Sequence, residues 1–270
     1  MPCLLLPSAA VAATLRIAAL TPHLVEQLYA AGAGERLVAA VDFSDYPPEA
    51  RRLPSLGQSG RVDLEALVAL QPDLVVGWSS GNSPQQLAQI EALGIRVYRS
   101  EPRSLAEIAD ELEALGRLAG TEATANAAAA RYREGLARLR EAHAGRRSLR
   151  VFYQIWDQPL MTVNGAHMIS DALALCGAVN LFAELPELVP RISSEAVLAA
   201  DPDAIVIGVP AAQADTWRAA WLVHADLRAV RDRAVVTVNP DLLHRATTRA
   251  LDGVAELCGG LEAVRDRDGG

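Results

Sequence analysis

VDLEALVALQPDLVVG, residues 62–77, returns as ISSEAVLAADPDAIVI, residues 192–207. Aligned without a gap, Glu65 falls on Glu195, Ala66 on Ala196, Ala69 on Ala199, Pro72 on Pro202, Asp73 on Asp203 and Val76 on Val206. Each copy offers a cap residue (Asp63 or Ser193), a short helix, a Pro-Asp break and an apolar strand. The proline lacks the N–H that would continue the helix. One unit used twice, 130 residues apart, makes two similar α/β halves.

Between the copies lies TEATANAAAARYREGLARLREAH, residues 121–143, with no proline and one glycine, Gly135, its single candidate hinge. Strong helix formers dominate it. Thr121 stands at the N-cap position, and Glu122 is where the helix dipole favours negative charge. Ala125, Ala128, Tyr132, Leu136 and Leu139 recur on one stripe, so the segment reads as a helix of about 33 Å. The expected architecture is α/β, two lobes with mostly parallel sheets bridged by one long α-helix. Residues 14–120 form the first lobe, 121–145 the bridging helix, 146–265 the second lobe and 266–270 a disordered tail.

The chain has 270 residues, 51% of them hydrophobic, and a net charge of −8. That size supports a sizeable core, and the acidic balance argues against nucleic acid or an anionic membrane as partner. No run approaches the roughly twenty apolar residues of a membrane span. The start, MPCLLLPSAAVAATLR, reads as residues 1–13 of a secretory signal cleaved near Ala12 or Ala13, without the usual basic region. Removing it takes Cys3 away and leaves Cys176 and Cys258, 82 residues apart. An even count in an exported protein fits a disulfide worth about 4 kcal/mol in the chain-entropy model. Two buried free thiols in a cytosolic protein is the other reading.

Strands are expected at Leu15–Ala19, Leu37–Val41, Leu74–Gly77, Ile95–Tyr98, Leu149–Gln154, Ala204–Gly208 and Val235–Val238, with helices between them and a terminal helix to about Cys258. In open parallel sheets, ligands bind beyond the carboxyl ends of the strands. Those ends lead here to Phe43 and Tyr46, to Trp78, to Tyr153 and Trp156, and to Asp241, Leu242, Leu243, His244 and Arg245. Aromatics are only 4% of the chain, so their gathering at loops of both halves suits a large, flat, partly apolar ligand.

Motifs for enzymes are thin. There is no G-x-x-x-x-G-K-[ST], G-x-G-x-x-G or G-x-S-x-G. The five histidines are scattered; His23, His167 and His244 could meet across a cleft to hold zinc, but no spacing requires it. Asp45, Asp157 and Asp241 sit beside turn formers, where Asp is ordinary. Glu65 and Glu195 lie in the first turns of equivalent helices, suiting the dipole and forming a two-fold pair of acidic knobs for a symmetric basic partner.

SDYPPEA (Ser44–Ala50), LEALVALQPDLVVGW ending at Trp78, Gly81-Asn82 and FYQIWDQPLMTVNG (Phe152–Gly165) together resemble the periplasmic cobalamin-binding proteins of vitamin-import ABC transporters. These belong to the class III solute-binding proteins, which carry metals, siderophores and cobalamin. The resemblance covers nearly the whole mature chain. It implies two Rossmann-like lobes joined by a rigid helix, with a corrinoid held edge-on between them and little closure. It also implies ligand contact by Phe43, Tyr46, Trp78 and the 241–245 loop, permease docking through Glu65 and Glu195, and a Cys176–Cys258 disulfide. A tryptophan that some members carry before the first repeat helix is Ser59 here.

The expectation is therefore a monomeric, periplasmic protein without cofactor or catalytic residues. It captures cobalamin and delivers it to an ABC permease dimer with its ATPase subunits. A ferric siderophore or haem binder of the same fold is one alternative, with Arg191, Arg245 and His244 as its candidate contacts. A cytosolic α/β metalloenzyme or scaffold using the two cysteines is the other.

Overall fold

The computed structural model describes residues 15–268; the expected signal segment and Cys3 lie outside them. In the first half β1 (Ile17–Ala19), α1 (Pro22–Ala30) and β2 (Leu37–Ala39) are followed by a two-stranded antiparallel ribbon, β3 (Gly57–Gln58) and β4 (Arg61–Val62). Next come α2 (Leu64–Ala69), β5 (Leu74–Trp78), α3 (Pro84–Ala92), β6 (Arg96–Ser100) and α4 (Glu107–Ala119). After α5 (Glu122–Ala142), the second half runs β7 (Leu149–Gln154), α6 (Met168–Leu175), β8 (Ala178–Asn180), α7 (Ser194–Ala200), β9 (Ala204–Gly208) and α8 (Ala214–Leu222). α9 (Arg228–Arg231), β10 (Val235–Val238), α10 (Pro240–Leu243) and α11 (Ala250–Asp268) complete it.

Two four-stranded parallel sheets result, ordered β2-β1-β5-β6 and β8-β7-β9-β10. They share one topology, and the registers correspond: Ile17 pairs with Leu74 as Val151 pairs with Ala204. The Pro-Asp break explains the repeat physically. Asp73 Oδ2 accepts the Arg16 N–H at 2.8 Å, and Asp203 Oδ2 accepts that of Arg150 at 2.8 Å. Arg16 Nη2 donates to the carbonyl of Leu70, and Arg150 Nη2 to that of Ala200, both at 2.7 Å. Each guanidinium thus satisfies orphan carbonyls at the negative end of its repeat helix. Gln71 and Asp201, the turn residues beside these helix ends, both take the left-handed region, with φ of 44° and 41°.

α5 spans 21 residues. Ala125, Ala128, Tyr132 and Leu136 are buried as the stripe requires, while Leu139 is half-buried. Thr121 precedes the helix but its side chain makes no cap bond. Arg133 pairs with Asp110 and Glu113 of α4, Arg140 lies 3.9 Å from Asp171 of α6, and His143 Nδ1 is 3.0 Å from Glu262 of α11. Gly135 is no hinge: its missing Cβ makes room for Leu251 of α11.

The terminal helix continues past Cys258 to Asp268, so the tail expected from residue 266 is helical up to there. Gly260 lets α11 lie against Val236, and Leu261 and Val264 are buried. Cys176 and Cys258 form a disulfide that fastens α6 to α11.

Candidate functional site

The carboxyl ends of both sheets border one hollow. From the first half it is lined by His23, Trp78, Glu101, Pro102 and Arg103; from the second by His167, Met168, Leu188, His244 and Ala246. Trp78 ends β5 and is fixed by Asn82, whose Oδ1 accepts its N–H at 2.6 Å. The Asn82 Nδ2 donates to the carbonyls of Leu20 and Ser59, tying the loop that holds Ser59 to the sheet. Trp78 meets His23 edge to face, with centroids 5.1 Å apart.

His23, His167 and His244, scattered in sequence and considered as a zinc set across a cleft, all line this hollow. Burial, and after it the charge of Arg245, lowers His23 to about 3. Burial lowers His167 to about 4, and burial with the neighbouring His167 lowers His244 to about 3. All three are neutral imidazoles near neutral pH. His167 Nδ1 accepts the Ile169 N–H and caps α6; His244 Nε2 lies 2.8 Å from the Tyr153 hydroxyl. Among the described residues, no group of three or more His, Cys, Asp or Glu is arranged to hold a metal ion.

Beside the hollow a charged network joins the halves. Glu26 of α1, its side chain only 3% exposed, accepts from Arg245 Nη1 at 2.7 Å and from Arg249 Nη2 and Nε at 2.7 and 2.9 Å. Arg245 also pairs with Asp45 at 3.2 Å and with Asp241 at 2.8 Å. Arg249 lies over the Tyr46 ring, 4.0 Å from its centroid, a cation–π arrangement. Neither Glu26 nor Arg249 stands out in the sequence. The signals present are one carboxylate in the apolar helix PHLVEQLYA and an arginine four residues after Arg245.

The other expected contacts divide. Phe43, Tyr46 and Trp156 are exposed, and they are the large aromatics most open to solvent among the described residues. Phe43 is held at φ 65°, which turns the chain sharply after β2. Trp156 donates its indole N–H to the Gln158 carbonyl and packs edge-on against Trp217. Asp241 is exposed, while Leu242, His244 and Arg245 are half-buried. Tyr153 and Leu243 were expected at the surface of the site but are fully buried. β7 is interior to a parallel sheet covered on both faces, so Tyr153 supports His244 from beneath; Leu243 packs into the core.

Glu65 and Glu195 occupy matching exposed positions in the first turns of α2 and α7, after caps in which Asp63 and Ser193 accept the N–H groups of Ala66 and Ala196. Neither glutamate makes an ion pair among the described residues.

The periplasmic binding protein family matches residues 17–242. The chain is 38% identical over 244 residues to the vitamin B12-binding protein of Vibrio cholerae serotype O1, covering 90% of this chain and 87% of that protein. The solved periplasmic vitamin B12-binding protein of Vibrio cholerae superposes with a TM-score of 0.85 at 36% identity, covering 93% of this chain and 97% of that one. A periplasmic haem-binding protein from Pseudomonas aeruginosa superposes at 0.78 with 30% identity, covering 90% and 91%.

Proposed function

Because this chain belongs to the periplasmic binding protein family, we propose that it captures cobalamin, or a related corrinoid, between its two lobes and delivers it to an ABC importer. It performs no covalent chemistry; binding and release are its whole task. The observation that carries the reading is the character of the hollow between the sheets. Its wall combines Trp78 with three neutral imidazoles, and of the arginines at its edge Arg245 and Arg249 are already held by carboxylates, while the exposed Arg103 shares the lining with Glu101. A broad macrocycle fringed with neutral amides suits such a wall: the ring meets the aromatics, and the amides meet imidazoles that donate and accept without charge. The relatives named for vitamin B12 support the same ligand.

In this reading Phe43, Tyr46, Trp78, Trp156, Asp241, Leu242, His244 and Arg245 touch ligand. The lobes are residues 14–120 and 146–265, residues 121–145 bridge them, and the protein is exported to the periplasm as a monomer. Glu65 and Glu195 dock the permease dimer, whose ATPase subunits respond.

Calorimetric titration with cyanocobalamin tests the reading. Saturable one-to-one binding is expected, and no heat at tens of micromolar would end it. Haem is the second reading, favoured by the histidines around the hollow and by the solved haem-binding relative. A Soret shift on adding haemin, with no response to cyanocobalamin, would establish that reading instead.

A further inference from the structure

Glu26 is the innermost member of the network joining the lobes. Three carboxylates (Glu26, Asp45, Asp241) face two guanidiniums (Arg245, Arg249), so the cluster carries one net negative charge. The carboxylates are not equivalent. The Asp45 and Asp241 side chains are 51% and 55% exposed and therefore screened by water, whereas Glu26 is 3% exposed. Of the three carboxylate groups, only that of Glu26 contacts both arginines. Without it, two guanidiniums would stand beside the hollow with only solvent-screened partners. They retain access to a ligand, with 14% and 20% of their side chains exposed.

We propose that Glu26 is a specificity-determining residue, a buried carboxylate that occupies Arg245 and Arg249 so that the cleft accepts electrically neutral, amide-fringed corrinoids and rejects those bearing carboxylates. The proposal rests on the corrinoid reading above. Glu26 acts on the ligand through its partners. It withholds two cations from an incoming anion, and through Arg249 it holds the Tyr46 ring in place. Arg103 also lines the hollow, but it is exposed and shares that lining with Glu101, so its charge is screened and opposed. A full charge introduced at short range in a partly desolvated cleft changes affinity by about tenfold or more.

The test compares cyanocobalamin with each of its separable monocarboxylic acids, in which one peripheral amide has become a carboxylate. Dissociation constants are measured for the wild type, Glu26→Gln and Glu26→Asp. The wild type should prefer the amide; Glu26→Gln should shrink that preference about tenfold, more at low than at high salt, and Glu26→Asp should restore it. If the wild type binds neither ligand, the corrinoid reading fails. If it binds cyanocobalamin and Glu26→Gln leaves every ratio unchanged, the specificity role alone is overturned. Should Glu26→Gln not fold, Arg249→Gln removes one of the cations and should widen the preference; an unchanged ratio there would equally overturn the proposal.

Discussion

His244 stands on Tyr153: the phenol oxygen and Nε2 are 2.8 Å apart above Gly208 of β9, with Tyr153 fully buried and His244 half-buried. A Cβ at Gly208 would strike both side chains. Tyr153→Phe should therefore leave a buried ring nitrogen unpaired and cost about 1–3 kcal/mol in urea unfolding. Gly208→Ala should displace His244 and weaken ligand binding even where the protein stays folded. Calorimetry of both variants checks this; unchanged affinity in Gly208→Ala would remove His244 from the site.

What the sequence disclosed follows from where apolar signal concentrates. Leu149–Gln154, Ala204–Gly208 and Val235–Val238 are interior or well-anchored strands, and each matches its expected bounds. β8 was missed because Ala178-Val179-Asn180 is an edge strand of three residues whose order comes from its partner β7. The ribbon of β3 and β4 has only two residues on each side, too short for any period to register. Gly259-Gly260 reads as a helix stop, yet Gly260 is needed for contact with Val236. The aromatic loops were legible because strand ends can be located from sequence. Glu26 was not, since its partners lie 219 and 223 residues away. Tyr153 stands at its expected strand end, but its burial was not legible, because a strand buried on both faces has no alternation to separate inside from outside.

The disulfide joins helices from the two ends of the second half. Protein expressed without residues 1–13 should show no free thiol in denaturant until reductant is added, and two afterwards. Paired Cys176→Ala and Cys258→Ala substitutions should lower stability by about 2–5 kcal/mol. Two thiols titrating without reductant would contradict the bridge.

Cross-lobe ties oppose opening. Leu105 N–H donates to Asp171 Oδ2 at 2.9 Å and Glu26 holds Arg245 and Arg249, while Gly135 of α5 is packed against Leu251 of α11. Small-angle scattering should give the same radius of gyration with and without cyanocobalamin. A large contraction would show that the lobes hinge.

Glu65 and Glu195 are exposed and free of ion pairs among the described residues, so replacing both with alanine should change stability by less than about 0.5 kcal/mol. In reconstituted importer the double variant should keep ligand affinity and lose stimulation of ATP hydrolysis. Lost ligand binding would place these residues at the cleft instead.

Acid sensitivity has two opposing sources. His23, His167 and His244 are lowered to about 3, 4 and 3 by burial. Between about pH 4 and their unfolded value near 6.5, the unfolded chain binds more protons at these sites, so stability falls as pH drops. Glu111 behaves oppositely. Burial is the main cause raising it to about 7, opposed by the nearby polar side chains of Ser100 and Gln27. From its unfolded value near 4.5 up to 7 the folded state holds the extra proton, and this contribution falls as pH rises. Three groups outweigh one, and each is worth up to about 1.4 kcal/mol per pH unit. Urea unfolding should thus show a net loss of stability from pH 6.5 to 4.5. Glu111→Gln removes the opposing term. Relative to the wild type it should be most stabilised above pH 7, by at most about 3 kcal/mol, and the advantage should fade towards pH 4.5. A constant difference across that range would mean that Glu111 is ionised in the folded protein.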